Sequence, residues 1–313
     1  MPLISVCIPT YNDVNSLVHN LNLLSKKTDL SFEVLICDDC LDNIIFSVVE
    51  KYQSKFKIHY FKGDNRGLDA ALIKLIEKSS GEYIWWLGDD KLLSDSLDSV
   101  SKVLSSSQNL VFLWVNSHSS TDGKFTFNVS RDEFFDDRDR LLDFDIGLLG
   151  FISATIFKRK AALPCINNAK LHIGSSFACL YIIMYVLSVK GGLGILSKSC
   201  FQSIEKPSGE VRWYQQYQVF GINLYDIVIE FDNVFSVHNQ RKALSRNLTR
   251  VLKSVVYERA VGLKTGFAIL NISIKTLFLK YYSFSQFWIY LPLLLLPRII
   301  LRVIYKTYKL IIK

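Results

Sequence analysis

Three polar clusters between residues 10 and 90 each close an apolar, β-branched run: Thr10-Tyr11-Asn12-Asp13, Asp38-Asp39 and Gly88-Asp89-Asp90. Hydroxyls, amides and carboxylates grouped in this way line a ligand-binding rim when neighbouring strands bring them together. The competing reading is structural, because Asp, Asn and Thr are also the residues of turns and helix N-caps. One such cluster alone reads as capping, whereas three in successive units point to a common site. Asp38 also sits within Cys37-Asp38-Asp39-Cys40, a Cys-X-X-Cys spacing that suits redox or zinc chemistry. No second cysteine pair or histidine cluster lies nearby in the sequence, and Cys37 ends an apolar run, so two buried thiols are the better reading.

The clusters need strands to position them. Residues 3–8 read as a strand stopped by Pro9, followed by a helix carrying Leu17, Leu21 and Leu24. Residues 32–37, 58–61 and 83–87 read as further strands, with helices over 44–52 and 68–78 and a turn at 63–67. Strands alternating with helices of this length predict an α/β fold, a mainly parallel sheet flanked by helices, with ligands at the carboxyl ends of the strands. Farther on, 110–115 and 151–157 read as strands, 132–145 as a solvated loop or short helix, 175–189 as an apolar helix and 191–196 as a short strand.

Four phrases, in this order and spacing, carry a resemblance: Ser5-Val6-Cys7-Ile8-Pro9-Thr10-Tyr11-Asn12, Glu33-Val34-Leu35-Ile36-Cys37-Asp38-Asp39, Asn65-Arg66-Gly67 and Gly81-Glu82-Tyr83-Ile84-Trp85-Trp86-Leu87-Gly88-Asp89-Asp90. Together they resemble the family 2 nucleotide-sugar glycosyltransferases. The Gly-Asp-Asp ending and the later Gly150-Phe151-Ile152-Ser153 are similar to bacterial abequosyltransferase-like enzymes of surface polysaccharide synthesis. The resemblance implies a glycosyltransferase A-type fold and an inverting, metal-assisted transfer of a hexosyl or deoxyhexosyl group from a nucleotide sugar to a lipid-linked saccharide acceptor. It places a divalent metal, Mn²⁺ or Mg²⁺, on Asp90 with Asp89 beside it, where the cation neutralises the departing diphosphate. Gly88 stands where the family has the first aspartate of its motif, so one carboxylate is missing. Pro9, Thr10, Tyr11, Asp38, Asp39, Asn65, Gly67 and Asp89 fall where the family binds nucleotide.

The departure is greatest at the catalytic base, where the family carries an acidic residue and this chain reads Leu171-His172-Ile173-Gly174-Ser175-Ser176-Phe177. His172 is the nearest proton acceptor, with Asp143 and Asp145 as alternatives if the loop before Phe151 folds over the site. A lone histidine reads equally as a cap or core residue. Two rival functions stand: a catalytically impaired nucleotide-binding scaffold at the membrane, motivated by the missing carboxylates, and a nucleotidyltransferase, for which residues 9–14 lack the expected glycine-rich basic loop.

The 313 residues are half apolar and 21% charged, which excludes a disordered chain and leaves material for one large domain with an appendage. The net charge of +8 conceals a split. Residues 240–313 carry 14 Lys and Arg against one acid, Glu258, whereas residues 1–239 hold 23 bases and 28 acids. The split divides the chain into residues 1–238, the nucleotide-sugar-binding domain that the resemblance implies, and a basic amphipathic helical segment over 239–313 that is expected to meet a membrane surface. Lys242, Lys253, Lys264 and Lys275 recur every eleven residues, nearly one face of a helix.

Residues 281–297 carry no charge but contain Pro292 and Pro297, too short and broken a run for a spanning helix. They read as an interfacial or re-entrant segment, Phe287, Trp288 and Tyr290 at the headgroups and Arg298, Arg302, Lys306, Lys309 and Lys313 on anionic lipid. The competing reading is a buried C-terminal helix pair with a basic outer face. Nucleic acid is set aside as a partner because the bases are interleaved with long aliphatic runs. No secretory signal is expected and the six cysteines read as reduced, so the expected location is the cytoplasmic face of the bacterial inner membrane, peripheral or monotopic.

Overall fold

The computed structural model describes residues 1–107, 109–204, 217–261 and 273–311. The chain groups into two compact units, Met1–Arg140 with Leu148–Glu205, and Leu141–Gly147 with Lys206–Lys313. The boundary expected at 238/239 follows charge, whereas the packing changes near residue 205.

The first unit is one nine-stranded sheet. Its strands are β1 (Ile4–Thr10), β2 (Phe32–Asp38), β3 (Ile58–Lys62), β4 (Tyr83–Trp86), β5 (Lys91–Leu92), β6 (Leu110–Ser119), β7 (Glu133–Phe135), β8 (Thr155–Lys158) and β9 (Gly192–Ser203). Their order is β3-β2-β1-β4-β8-β6-β9-β5, with β7 also paired to β9. Strands β5, β7 and β8 run against the others, so the sheet is mostly parallel. It is flanked by α1 (Val14–Leu24), α2 (Ile44–Glu50), α3 (Leu68–Lys78), α4 (Ser96–Ser106), α5 (Arg159–Ala162), α6 (Ile166–Ala169) and α7 (Ala178–Ser188). Strands β1 and β4 are buried at odd and even positions alike, as expected of central strands covered on both faces. Helix α1 turns Leu17, Leu21 and Leu24 inward, a single stripe at helical spacing.

Several local expectations shift. Pro9 does not stop β1, which continues to Thr10. Cys7 accepts from Leu87 on the β4 side and Thr10 accepts from Asp39 on the β2 side, so alternation turns the missing Pro9 N–H toward β4, which has already ended. Residues 152–154 form a 3-10 turn before β8 instead of extending the strand. Helix α7 begins at Ala178, three residues late, because Gly174 and Ser176 adopt left-handed φ values of 93° and 62°. The short strand expected at 191–196 is the twelve-residue β9.

The second unit runs from a π-helical turn at Tyr217–Asn223 through α8 (Leu224–Glu230), α9 (Val237–Val261), α10 (Ile274–Tyr281), α11 (Ser285–Leu295) and α12 (Arg298–Ile311). Its core lies along α9, which buries Leu244, Leu248, Val251, Leu252 and Val255. Residues 141–147 join this unit because Arg246 donates to the Leu142 carbonyl and Arg250 pairs with Asp145 at 2.9 Å. Arg259 donates to the carbonyls of Leu294 and Leu296, a cation on the open end of α11. Lys242 and Lys253 are exposed on α9, but Lys275 belongs to α10 and Lys264 lies outside the described residues, so the lysine period does not follow one helix. Among the described residues no single helix is long and apolar enough to cross a membrane. Helices α11 and α12 qualify only together, and they are bent by 107°.

Candidate functional site

The chain passes from β1 outward to β2 and β3, then returns to β4 on the other side of β1. In an open α/β sheet this reversal opens a crevice beyond the carboxyl ends of the two central strands, and ligands bind there. Register sets Thr10 beside Asp38 and Asp38 beside Lys62, while β4 ends opposite Cys7. The ends of β2 and β4 flank β1 and are therefore roughly 10 Å apart. Thr10, Tyr11, Asp38, Asp39, Asp89 and Asp90 thus share one rim. Pro9 sits inside β1 and is buried.

On the β2 side, the two carboxylates are already engaged. Asp38 is fully buried, one oxygen accepting from Cys40 N (2.9 Å) and the other from Tyr60 Oη (2.6 Å) and Lys62 Nζ (3.0 Å). Burial works to raise its pKa, but these hydrogen bonds outweigh it and hold the carboxyl below its ordinary value. Asp39 accepts from Asn65 N (3.2 Å) and Gly67 N (2.9 Å), and its own N–H donates to the Thr10 carbonyl (3.1 Å). A Cβ at Gly63 would lie 1.9 Å from Asp39 Oδ1, so only glycine admits this carboxylate. Asn65 and Gly67 therefore reach the rim through Asp39. Thr10 Oγ1 is buried at the same place and has no hydrogen-bond partner among the described residues. Tyr11 stands 63% exposed.

On the β4 side, Gly88 N donates to Ser153 Oγ (3.0 Å), and the Ser153 side chain in turn hydrogen-bonds Asp90. Ile204 N donates to Asp90 Oδ1 (3.1 Å), and Asn20 of α1 clamps the segment, donating to the Asp90 carbonyl and accepting from Leu92 N, both at 2.9 Å. Burial raises the Asp90 pKa, and the nearby Asp13 carboxylate, which caps α1, raises it further. A Cβ at Gly88 would come within 3.2 Å of Ile152 Cδ1 and 3.4 Å of Ser153 Oγ, so a side chain there would have to fit against the 152–153 segment. Asp89 is exposed beside it.

No cluster of three or more His, Cys, Asp or Glu side chains able to hold a metal occurs among the described residues. Asp90 lies near enough to the Asp13 carboxylate to feel its charge, with Asp89 next in the chain, and such hard oxygen donors fit a divalent cation of the Mg²⁺ or Mn²⁺ type.

His172 ends a short 3-10 turn and stacks on Tyr181 with ring centroids 4.4 Å apart. The loop after it is held by Asp69, in the first turn of α3, whose buried carboxylate accepts from Gly174 N (3.0 Å), Ser176 N (2.8 Å) and Ala178 N (3.0 Å). Burial raises the Asp69 pKa, opposed by those three bonds and by His172. The Phe177 ring packs on Gly150, where a Cβ would come within 2.4 Å of it, so the 150–153 segment joins this loop to Asp90. Asp143 and Asp145 belong to the second compact unit, and Asp145 is held by Arg250 and by Gly147 N.

Sequence reasoning missed Ser153, Asn20 and Asp69 as site residues. Ser153 closes a phrase already singled out for resemblance, whereas Asp69 looks like an ordinary acid at a helix N-terminus. Trp85 and Trp86 are fully buried, with Trp85 Nε1 donating to the Ser153 carbonyl at 2.9 Å. Cys37 and Cys40 are free, buried thiols whose pKa values burial pushes up to about 12 and about 11.

The family model described as "Glycosyl transferase family 2" matches residues 5–162. Abequosyltransferase RfbV of Salmonella typhimurium is 28% identical over 214 residues, covering 61% of this chain and 63% of that protein. The Escherichia coli UDP-Glc:alpha-D-GlcNAc-diphosphoundecaprenol beta-1,3-glucosyltransferase WfgD is 30% identical over 133 residues, 39% of this chain and 50% of that protein. An uncharacterized glycosyltransferase of Rickettsia bellii matches over only 19% of its own length, so the chain spans less than two thirds of these curated relatives. Among solved structures, Staphylococcus aureus TarS 1-349 in complex with UDP-GlcNAc superposes with a TM-score of 0.65 at 16% identity, covering 84% of this chain and 76% of that one, a likeness of fold.

Proposed function

The chain belongs to glycosyltransferase family 2, and from that premise we propose that it moves a sugar from a nucleotide-sugar donor to a lipid-linked saccharide acceptor in bacterial surface polysaccharide synthesis. The observation that carries the reading is the crevice at the β1/β4 reversal, with the unpartnered Thr10 hydroxyl and Asp39 on one wall and Asp90 on the other. The relatives' names support the donor and acceptor classes, one being an abequosyltransferase and another acting on a saccharide carried by diphosphoundecaprenol.

In this reading Thr10, Tyr11 and Asp39 receive the base and ribose, and Asp38 holds Lys62 and Tyr60 in place beside them. Asp90, with Asp89, would hold a Mn²⁺ or Mg²⁺ ion, which when bound would neutralise the charge that the diphosphate leaving group gains. Ser153 and the Ile204 N–H keep Asp90 oriented. The acceptor hydroxyl attacks the anomeric carbon opposite the diphosphate and inverts it, its proton passing to the His172 imidazole. His172 is preferred because it shares a compact unit with Asp90, whereas Asp145 is committed to Arg250. A nucleotide-binding scaffold without turnover is the second reading, favoured by the glycine at position 88 and the lack of any carboxylate in residues 171–177.

Calorimetry with uridine, guanosine, cytidine and thymidine diphosphates, with and without Mn²⁺, tests both on wild type and Asp90→Ala. Metal-dependent binding of one nucleotide, lost in the variant, is the expected outcome, and transfer to lipid-linked acceptors is then assayed. No binding near about 1 mM, which corresponds to about −4 kcal/mol, sinks the donor site. Binding without transfer to any acceptor moves the protein to the scaffold reading.

A further inference from the structure

We propose that α10, α11 and α12 form a seat for an anionic lipid surface, with the outward apolar face of α12 lying in the plane of the membrane interface. A helix packed on a water-soluble body turns its apolar stripe inward. Helix α12 does the reverse. It rests on the second unit through Leu301, which is 2% exposed, and through Tyr305, whose ring meets Tyr257 edge-on at 5.5 Å. At 100° per residue, Ile299 and Val303 fall opposite Leu301, while Ile300 and Ile304 fall along one flank between the two sides. All four are exposed, Ile299 to 76%. Arg298, Arg302 and Lys306, four residues apart, form an exposed cationic stripe along one border of that apolar face.

The neighbouring helices continue the surface. Helix α11 buries Phe287 and Leu294 but presents Trp288, Ile289 and Leu295, while α10 buries Leu277 and Tyr281 but presents Phe278, Leu279 and Tyr282. Phe278 meets Trp288 edge-on at 6.1 Å, which makes the two exposed faces contiguous. The sequence alone left open a buried helix pair with a basic outer face, and the exposed apolar residues of α12 speak for the interfacial reading instead. An apolar face bordered by cations and carrying a tryptophan and a tyrosine matches the interfacial helix pattern.

Charge decides the occupant. Residues 259–313 contain no Asp or Glu, so a second copy of this surface would set cation against cation, whereas anionic headgroups complement it. Length decides the mode, since the eleven residues of α11 reach roughly half of a bilayer core and the bend of 107° to α12 keeps the pair from continuing across.

The inference goes beyond sugar transfer and is tested separately from it. The whole protein is floated with phosphatidylcholine vesicles with and without phosphatidylglycerol, and nucleotide binding is measured on the same samples. Flotation that requires phosphatidylglycerol is expected. Ile299→Gln with Val303→Gln, and separately Arg298→Gln with Arg302→Gln, each lower it about tenfold. These exposed substitutions leave the melting temperature and nucleotide binding unchanged. No flotation of a protein that still binds nucleotide overturns the seat and spares the transferase reading. Flotation without nucleotide binding does the opposite. A wild-type dimer that Ile299→Gln with Val303→Gln converts to monomer, without any flotation, assigns the face to a second copy and also overturns the proposal.

Discussion

Thr10 keeps a buried hydroxyl that no described group satisfies, at the edge of the crevice. A buried polar atom without a partner costs folding free energy, so Thr10→Val is expected to leave stability unchanged or slightly raised. Nucleotide affinity should fall about five- to tenfold, the scale of one hydrogen bond. Melting and calorimetry on the same variant check the pair, and a loss of stability with intact affinity would make Thr10 a purely structural residue.

Asp90 carries a pH prediction. Burial, then Asp13, raises its pKa, so it takes up a proton at a higher pH than an ordinary aspartate. Metal-dependent nucleotide binding should accordingly fade on acidification above about 3.9, the usual aspartate value. Protonation relieves a buried charge, so folding is not weakened by that step. Asp90→Asn should show no metal-dependent nucleotide binding at any pH. Glu33 shows the opposite sign. Burial acts to raise its pKa, but Ser5, Ser80 and Lys57 outweigh it and bring the carboxyl to about 2. This depressed value contributes stability that is present above the unfolded value of about 4.3 and is lost as pH falls through 2. The expected contribution is on the order of 3 kcal/mol, and the melting gap between wild type and Glu33→Gln should close toward pH 2.

At the scale of elements, the site is a set of loops tied by single side chains. Asp69 fastens the start of α7 to α3 by three backbone hydrogen bonds, and those bonds allow Ser176 its left-handed backbone. Asparagine offers one accepting oxygen where aspartate offers two, and its amide would face N–H donors. Asp69→Asn should therefore cost about 2–4 kcal/mol, read as a lowered melting temperature, and reduce transfer more than nucleotide binding. Asp39 does the same for the turn at 63–67, which is why glycine is needed at position 63. The strand ends and turns were legible because Asp, Asn and Gly mark them, and the family phrases placed Asp38, Asp39 and Asp90 on one rim. Asp69 was not legible as a site residue, since nothing in its own neighbourhood distinguishes a first-turn aspartate that reaches across the fold from one that does not, and the 150–153 phrase did not show that Ser153 bonds Gly88 and Asp90.

At the scale of the molecule, charge and apolar exposure concentrate in the second unit and ligand chemistry in the first. Raising salt should weaken attachment to phosphatidylglycerol vesicles steeply, because screening acts on exposed cations. The same salt series should change nucleotide binding less, since Asp90 and Thr10 are largely withdrawn from solvent, and calorimetry beside flotation checks the contrast. Read along the chain, the residues already specify the alternation of strands and helices, the carboxylates at the strand ends, the lack of an acid in residues 171–177 and the concentration of positive charge beyond residue 240. These are matters of period, spacing and composition, which are properties of the chain read along its length. Folding assigns each polar group its partner: Asp38 holds Tyr60 and Lys62, Asp39 a turn, and Ser153 Gly88 and Asp90. It alone decided that α12 leaves Ile299, Ile300 and Val303 exposed. Both follow from contacts between residues far apart in sequence, such as 69 with 174–178, 90 with 204 and 257 with 305, and no local pattern encodes which of two amphipathic faces a neighbour will cover.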